Sequence, residues 1–302
     1  MDVYRTPDER FAGLTGYDFQ PRYFEMYGMV DGGDSLRMHY LEEGPAEGRT
    51  ILLLHGEPTW SFLYRKMIPP LVAAGFRVVA PDYFGFGRSD KPQRQDWYTY
   101  DRHVESIKRL VDELDLEDVT VVVQDWGGPI GMRVATDMPE VFGRMVILNT
   151  GILSGEAKMS DAWWSFHDFV EKVKPDVPVG MLVKGACKSE LSPEVLAGYE
   201  APFPTPDSKW GVVAFPMIVP TSTESPGAAE MIALAEKLKR WEKPALVAFS
   251  DSDPIFQPKT GERFVERIPG ARPMVTIPDA SHFLQEDQGE LIAGHIIEFV
   301  NS

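Results

Sequence analysis

The segment Val119-Thr120-Val121-Val122-Val123-Gln124-Asp125-Trp126-Gly127-Gly128 constrains this chain more than any other. A run of β-branched residues ends abruptly in a carboxylate, and two glycines follow. Such a run favours a buried strand, and the glycines permit a sharp turn into a helix. A strand–turn–helix of this form lifts its tip residue clear of the sheet, where it can act as a nucleophile. The tip residue is Asp125. A carboxylate attacks a carbonyl poorly, but it can displace a leaving group from an alkyl carbon and form an ester. The residue type points away from serine-type ester cleavage and towards carbon–halogen or epoxide cleavage.

The flanking pattern extends this turn into a fold class. Apolar runs at Thr50–Leu54, Arg77–Ala80, Val119–Val123 and Met145–Leu148 predict buried strands. Helical patterns over Ser61–Ala74, Tyr100–Leu114 and Gly128–Asp137 lie between them. That alternation predicts an α/β fold with a mostly parallel sheet covered on both faces. Leu36–Leu41 predicts an earlier strand in an antiparallel start. From about Leu153 to Glu224 the rhythm stops, and Trp163, Trp164, Phe166 and Phe169 are followed by Pro- and Phe-rich stretches such as Ala201–Pro206. It resumes with a helix over Ala228–Lys239, a strand at Ala245–Ser250, a helix over Thr260–Arg267, a strand at Met274–Ile277 and a last helix from about Gly289 to Val300. The expected organisation is a core of residues 1–152 and 225–302, interrupted by a mainly helical cap at 153–224.

Charge and cysteine content exclude some function classes. Forty-six acidic against 30 basic residues give a net charge of −16. Nucleic acids and anionic membranes attract clustered Lys and Arg, so neither is an expected partner. Cys187 is the only cysteine, which excludes an intrachain disulfide and a cysteine-rich metal site. Met1–Asp8 carries no apolar signal-like run, and no stretch approaches the ~20 apolar residues of a membrane span. The expected compartment is the cytoplasm.

Three chemically able side chains fall at the carboxyl ends of predicted strands, where open parallel sheets place their ligand sites. They are Asp125, then Asp253 after Ala245–Ser250, then His282 after Met274–Ile277. His55-Gly56-Glu57-Pro58-Thr59-Trp60 follows Thr50–Leu54, and its turn can aim a backbone N–H at the same place. Asp251 competes with Asp253, and Asn149, after Met145–Leu148, is neutral and cannot serve as a charged partner. His39, His103, His167 and His295 read as structural, with His167 a weak candidate for lining a pocket. His55 reads as shaping its loop. No histidine pair has metal-ligand spacing, so no metal is expected. Gly85-Phe86-Gly87-Arg88-Ser89-Asp90 half matches a dinucleotide fingerprint but has Asp90 at the final glycine, and no helix clearly opens there.

Taken together, His55–Trp60, Asp82-Tyr83-Phe84-Gly85-Phe86-Gly87-Arg88-Ser89-Asp90-Lys91-Pro92, Gln124–Gly128 and Ser281-His282-Phe283-Leu284-Gln285-Glu286 resemble the haloalkane dehalogenases of the α/β-hydrolase superfamily. The resemblance spans almost the whole chain and is weakest in the cap. It implies an α/β-hydrolase fold with a helical cap and no cofactor. It implies that Asp125 attacks the halogen-bearing carbon, giving an alkyl ester and a halide. The indole N–H of Trp126 then holds the halide. His282, oriented by Asp253, activates a water against the ester, and the backbone N–H groups of Glu57 and Trp126 hold the oxyanion. Asp253 is preferred to Asp251 because Ser250-x-x-Asp253 matches the family loop. One position departs from the family pattern. Phe166 stands where a second halide donor is expected, so either Trp164 or Trp163 takes that role or the site has a single indole donor and different chemistry. The implied partners are a small apolar halogenated substrate, halide and water, in a monomer or weak oligomer. The same machinery fits an epoxide hydrolase, although the cap offers only Tyr199 as an acid. It also fits a β-lactone-cleaving hydrolase, and the fold fits a ligand receptor. A fluoroacetate-type dehalogenase lacks its carboxylate-gripping arginine here.

Overall fold

The computed structural model describes residues 1–30 and 34–302. Eight strands form one sheet: β2 (Arg22–Tyr27), β3 (Ser35–Glu43), β4 (Thr50–Leu54), β5 (Arg77–Pro81), β7 (Val119–Val123), β8 (Phe142–Ile147), β9 (Ala245–Ser250) and β10 (Val275–Ile277), in the order β10-β9-β8-β7-β4-β5-β3-β2. The pairs from β5 through β10 are parallel. β2 and β3 form the antiparallel start. A two-stranded ribbon, β1 (Val3–Tyr4) with β6 (Lys91–Pro92), lies apart. Every residue of β4, β7 and β9 is buried, as expected of parallel strands covered on both faces.

The helices that cover the sheet are α1 (Ile68–Ala73), α2 (Tyr100–Glu113), α3 (Gly127–Asp137), α8 (Ala228–Leu238), α9 (Pro258–Arg267) and α10 (Leu284–Asn301). Between β8 and α8 the chain forms α4 (Asp161–Val173), α5 (Val179–Gly185), α6 (Pro193–Glu200) and α7 (Trp210–Met217), with no strand among the described residues. The sheet order turns at β4 and β7, so the loops after these two strands meet at the point where α/β sheets hold their ligands. Among the described residues, no helix is long and apolar enough to cross a membrane.

Three sequence expectations need correction. The helix expected over Ser61–Ala74 divides into a 3₁₀ turn at Ser61–Tyr64 and α1. Pro69 and Pro70 occupy the first turn of α1, where they lack the N–H groups that would continue an earlier helix. The last helix starts at Leu284, before Gly289, and breaks at Gln288, whose φ of −137° and ψ of 36° are not helical. β2 was not expected. Only Met26 in it is fully buried, so its apolar signal is faint.

Candidate active site

Asp125 sits at the tip of the turn between β7 and α3 with φ +49°, in the left-handed region. Its backbone is held on both sides. Its N–H donates to the Asn149 carbonyl at 2.8 Å, and Thr150 Oγ1 donates to its carbonyl at 2.6 Å. Two neighbouring glycines answer to close approach. A Cβ on Gly56 would run into the Asp125 side chain, and one on Gly128 would run into that of Thr150. Gly128 thus lets α3 start against the loop that follows β8.

The carboxylate faces a histidine backed by an acid. His282 Nδ1 lies 2.9 Å from Asp253 Oδ2, and His282 Nε2 lies 3.7 Å from Asp125 Oδ2. Asp253 is buried, and its Oδ1 accepts the N–H groups of Ile255 at 2.7 Å and Phe256 at 3.0 Å. Burial raises the Asp253 carboxyl, but the facing His282 and those two N–H groups outweigh it and keep the group below the usual carboxylate range. Burial lowers the His282 imidazole, yet Asp253 and then Asp125 carry it above its usual value. Asp251 is exposed and caps the turn at Asp279 and Ala280. Asn149 bonds Ser250 and the Ser281 carbonyl, which ties β9 to the histidine loop without touching the ring.

On the other side, Asp125 Oδ1 accepts the Glu57 N–H at 2.9 Å, and the Trp126 N–H also bonds this carboxyl. Burial raises the Asp125 carboxyl, while His282 and these two amides pull it down, and burial prevails. The Glu57 side chain is buried, its Oε1 has no partner among the described residues, and burial with the Asp125 charge holds its carboxyl well above the usual range. His55 donates from Nδ1 to the Gly56 carbonyl and accepts the Tyr83 N–H at Nε2. Burial lowers its ring to about 4. It braces the loop as a neutral residue.

These groups open into a cavity of about 320 Å³ whose walls are mostly apolar. Asp125, Glu57 and His282 form its polar end. Trp126, Trp163, Phe166, Met181, Leu182 and Phe256 line the rest of it. Trp163 and Phe166 are three residues apart on α4 and share one face. Trp164 is turned away from it, 41% exposed and packed edge-on against Trp163. Of the two tryptophans expected as alternatives, the fold brings Trp163 to the cavity and leaves Trp164 outside. His167 also lies outside, against Trp163 and Asp168. Among the described residues no tyrosine lines the cavity, and Tyr199 donates instead to Glu286 at 2.6 Å. Sequence reasoning passed over Phe256 and Phe283. Both stand within three residues of Asp253 or His282, and that adjacency was the available signal. It also gave no role to Gln124, which lies within hydrogen-bonding distance of His282.

The alpha/beta hydrolase fold family matches residues 49–181 of the chain. The chain is similar to haloalkane dehalogenase 1 of Mycobacterium tuberculosis, with 46% identity over 99% of both chains. It is 42% identical to the haloalkane dehalogenase of Psychrobacter cryohalolentis, over 100% of this chain and 99% of that one. Among solved structures, the tetrameric haloalkane dehalogenase DpaA from Paraglaciecola agarilytica NO2 superposes with a TM-score of 0.91 at 35% identity, covering 98% of this chain and 97% of that one.

Proposed function

The chain belongs to the haloalkane dehalogenases, hydrolases that act on carbon–halide bonds, and we propose that it works through an alkyl ester on Asp125. The observation that carries this reading is the asymmetric setting of the carboxylate. Its Oδ1 is bound by backbone N–H, while Oδ2 faces His282 and the apolar cavity.

Oδ2 attacks the halogen-bearing carbon from the side opposite the leaving group. The carbon–oxygen bond forms as the carbon–halogen bond breaks, and the halide leaves with the bonding pair. The Trp126 indole N–H receives it, joined by that of Trp163 from the cap, while Phe166 supplies apolar wall. A halide in a water-poor cavity needs such donors, because an unpaired buried anion is expensive. A water then gives its proton to His282 Nε2 as its oxygen bonds to the Asp125 carboxyl carbon. Negative charge gathers on Oδ1, where the Glu57 N–H already stands, and the Trp126 N–H bonds the same carboxyl. The intermediate collapses, the alkoxide takes the proton from His282, and the alcohol departs. The acid left on Asp125 releases the water's second proton to solvent, which restores the carboxylate. Asp253 holds the imidazole and balances its charge in between.

In this reading residues 1–152 and 225–302 are the catalytic core and 153–224 the cap that covers the cavity. The substrate is small and apolar, the chain works as a monomer or weak oligomer, and its compartment is the cytoplasm. Sedimentation tests the assembly, and a stable tetramer overturns that part. Halide release from 1-bromobutane, beside epoxide and β-lactone controls, tests the chemistry. In His282→Phe the ester should form and persist, so mass spectrometry should find the alkyl adduct on the Asp125 peptide. An unmodified peptide, after incubation with a substrate the parent consumes, overturns the assignment of the nucleophile.

A further inference from the structure

We propose that Gln124, the residue before the nucleophile, is a positioning residue that holds His282 as a neutral base with its lone pair on Nε2. The proposal rests on the role given to His282 above. Gln124 lies immediately after β7 and is fully buried. Its Nε2 stands 3.1 Å from the His282 carbonyl oxygen and 3.2 Å from His282 Nε2.

An amide nitrogen only donates, and its two protons are enough for both contacts. The reverse orientation would set the Gln124 oxygen against the His282 carbonyl, acceptor against acceptor. The carbonyl therefore fixes the amide nitrogen-first, although Oε1 is then left without a partner among the described residues. The second proton must find an acceptor in the ring, so His282 Nε2 carries no hydrogen. The ring's proton then lies on Nδ1 and is donated to Asp253. Backbone and ring of the same histidine are thus held by one side chain from the strand that carries the nucleophile.

This arrangement has a sign. It favours the neutral ring and opposes the imidazolium, whose Nε2–H would meet a donor. The other titratable groups facing the ring pull the opposite way. Asp253 does so from the loop after β9, and Asp125 from the turn after β7. Glu57 shares the cavity from the loop after β4 with its carboxyl held well above the usual range, and the remaining ring neighbours, Phe256 and Phe283, are apolar. Without a counterweight, two carboxylates would keep the base protonated. With Gln124, the resting lone pair is held by a long 3.2 Å contact that yields to the attacking water, and the proton Nε2 then takes meets a donor and is passed on to the alkoxide.

The test separates ester formation from ester hydrolysis. Gln124→Met keeps roughly the volume and removes the donors. In a rapid-mix experiment with 1-bromobutane the variant should still form the Asp125 ester. The acid limb of ester hydrolysis should move to higher pH by roughly half to one unit, the size expected for losing one neutral hydrogen bond. A profile that superposes on the parent's, with only the melting temperature lowered, would leave Gln124 a packing residue and overturn the proposal. If no ester forms in the parent either, the assignment of Asp125 has failed and not this one. A second measurement needs no variant. With ¹⁵N-labelled histidine, His282 in the parent should show, at a pH above the midpoint of its acid limb, an unprotonated Nε2 shifted as a hydrogen-bond acceptor, and a proton on Nε2 of the neutral ring overturns the proposal.

Discussion

At the scale of single residues, the site depends on which carboxylate is placed where. Asp251 and Asp253 stand two residues apart in one loop, yet Asp253 is buried against the imidazole and Asp251 is exposed at a turn. Asp253→Asn should slow ester hydrolysis by roughly 10⁴, the loss seen when the acid of a Ser–His–Asp triad becomes an amide. The amide would offer a proton to Nδ1 and drive the ring's own proton onto Nε2, removing the base. Asp251→Asn should behave as an ordinary loop change, and single-turnover rates of the two variants check the ranking. The same geometry sets the pH dependence. His282 is raised above its ordinary value, so hydrolysis should fall on the acid side of a midpoint above ~6.5. The stability it contributes is fully present below ~6.5 and is lost as pH rises through the raised value. Asp253 is lowered, so its contribution is present above the ordinary carboxylate value and is lost as pH falls through its own. These two residues and Asp125 were legible because each follows a strand readable from its apolar run. Gln124 was not, because its role depends on a contact with a residue 158 positions away.

At the scale of elements, α4 shows what periodicity adds to residue type. Ser160 caps the helix by accepting the Trp163 N–H, and Asp161 adds negative charge to its first turn. That start sets which side of the helix meets the cavity. Trp163 and Phe166 fall on it, while Trp164, about 100° away, does not. The sequence offered Trp163 and Trp164 as equals because the register of an inserted helix depends on where it begins and what it packs on. The divided helix after β4 has the opposite explanation. Pro69 and Pro70 were visible, but apolar spacing was followed past them. Trp163→Phe should weaken bromide binding and slow dehalogenation by roughly 10²–10³, as expected when one preorganised donor at a developing charge is lost. Trp164→Phe should change neither. Phe166→Trp adds a second indole on the cavity face and should tighten bromide. Quenching of tryptophan fluorescence across the three variants measures all of this, and equal losses in Trp163→Phe and Trp164→Phe would falsify the assignment.

At the scale of the whole molecule, one buried carboxylate joins the segments that must stay in register for the cavity to exist. Glu286 lies at the start of α10, four residues after His282. Arg65, after the turn that follows β4, grips it with two hydrogen bonds of 2.6 and 2.7 Å. Lys66 lies 2.8 Å from Oε1, and Tyr199 of α6 donates to Oε2 at 2.6 Å. The side chains of Arg65 and Glu286 are almost wholly buried, with exposures of 4% and 1%. A surface ion pair would contribute little, but removing one partner of a buried pair leaves the other charge unpaired at a cost of about 3–5 kcal/mol. Glu286→Gln should lower stability towards denaturant by that order at neutral pH. It should also loosen the cap, because Tyr199 loses its charged acceptor. The pH dependence gives a sharper readout. Burial pushes the Glu286 carboxyl up, but Arg65, Lys66 and Tyr199 bring it down from 4.5 to about 2. A carboxyl lowered on folding stabilises above its unfolded value, and that stabilisation is lost as pH falls towards the folded one. The parent should therefore lose stability steeply between about pH 4.5 and 2. Glu286→Gln should start lower and lose less over that interval. Denaturant titrations at neutral pH and at both ends of the interval decide it. Parallel losses in parent and variant would show that other carboxylates govern acid unfolding and that Glu286 does not hold cap to core.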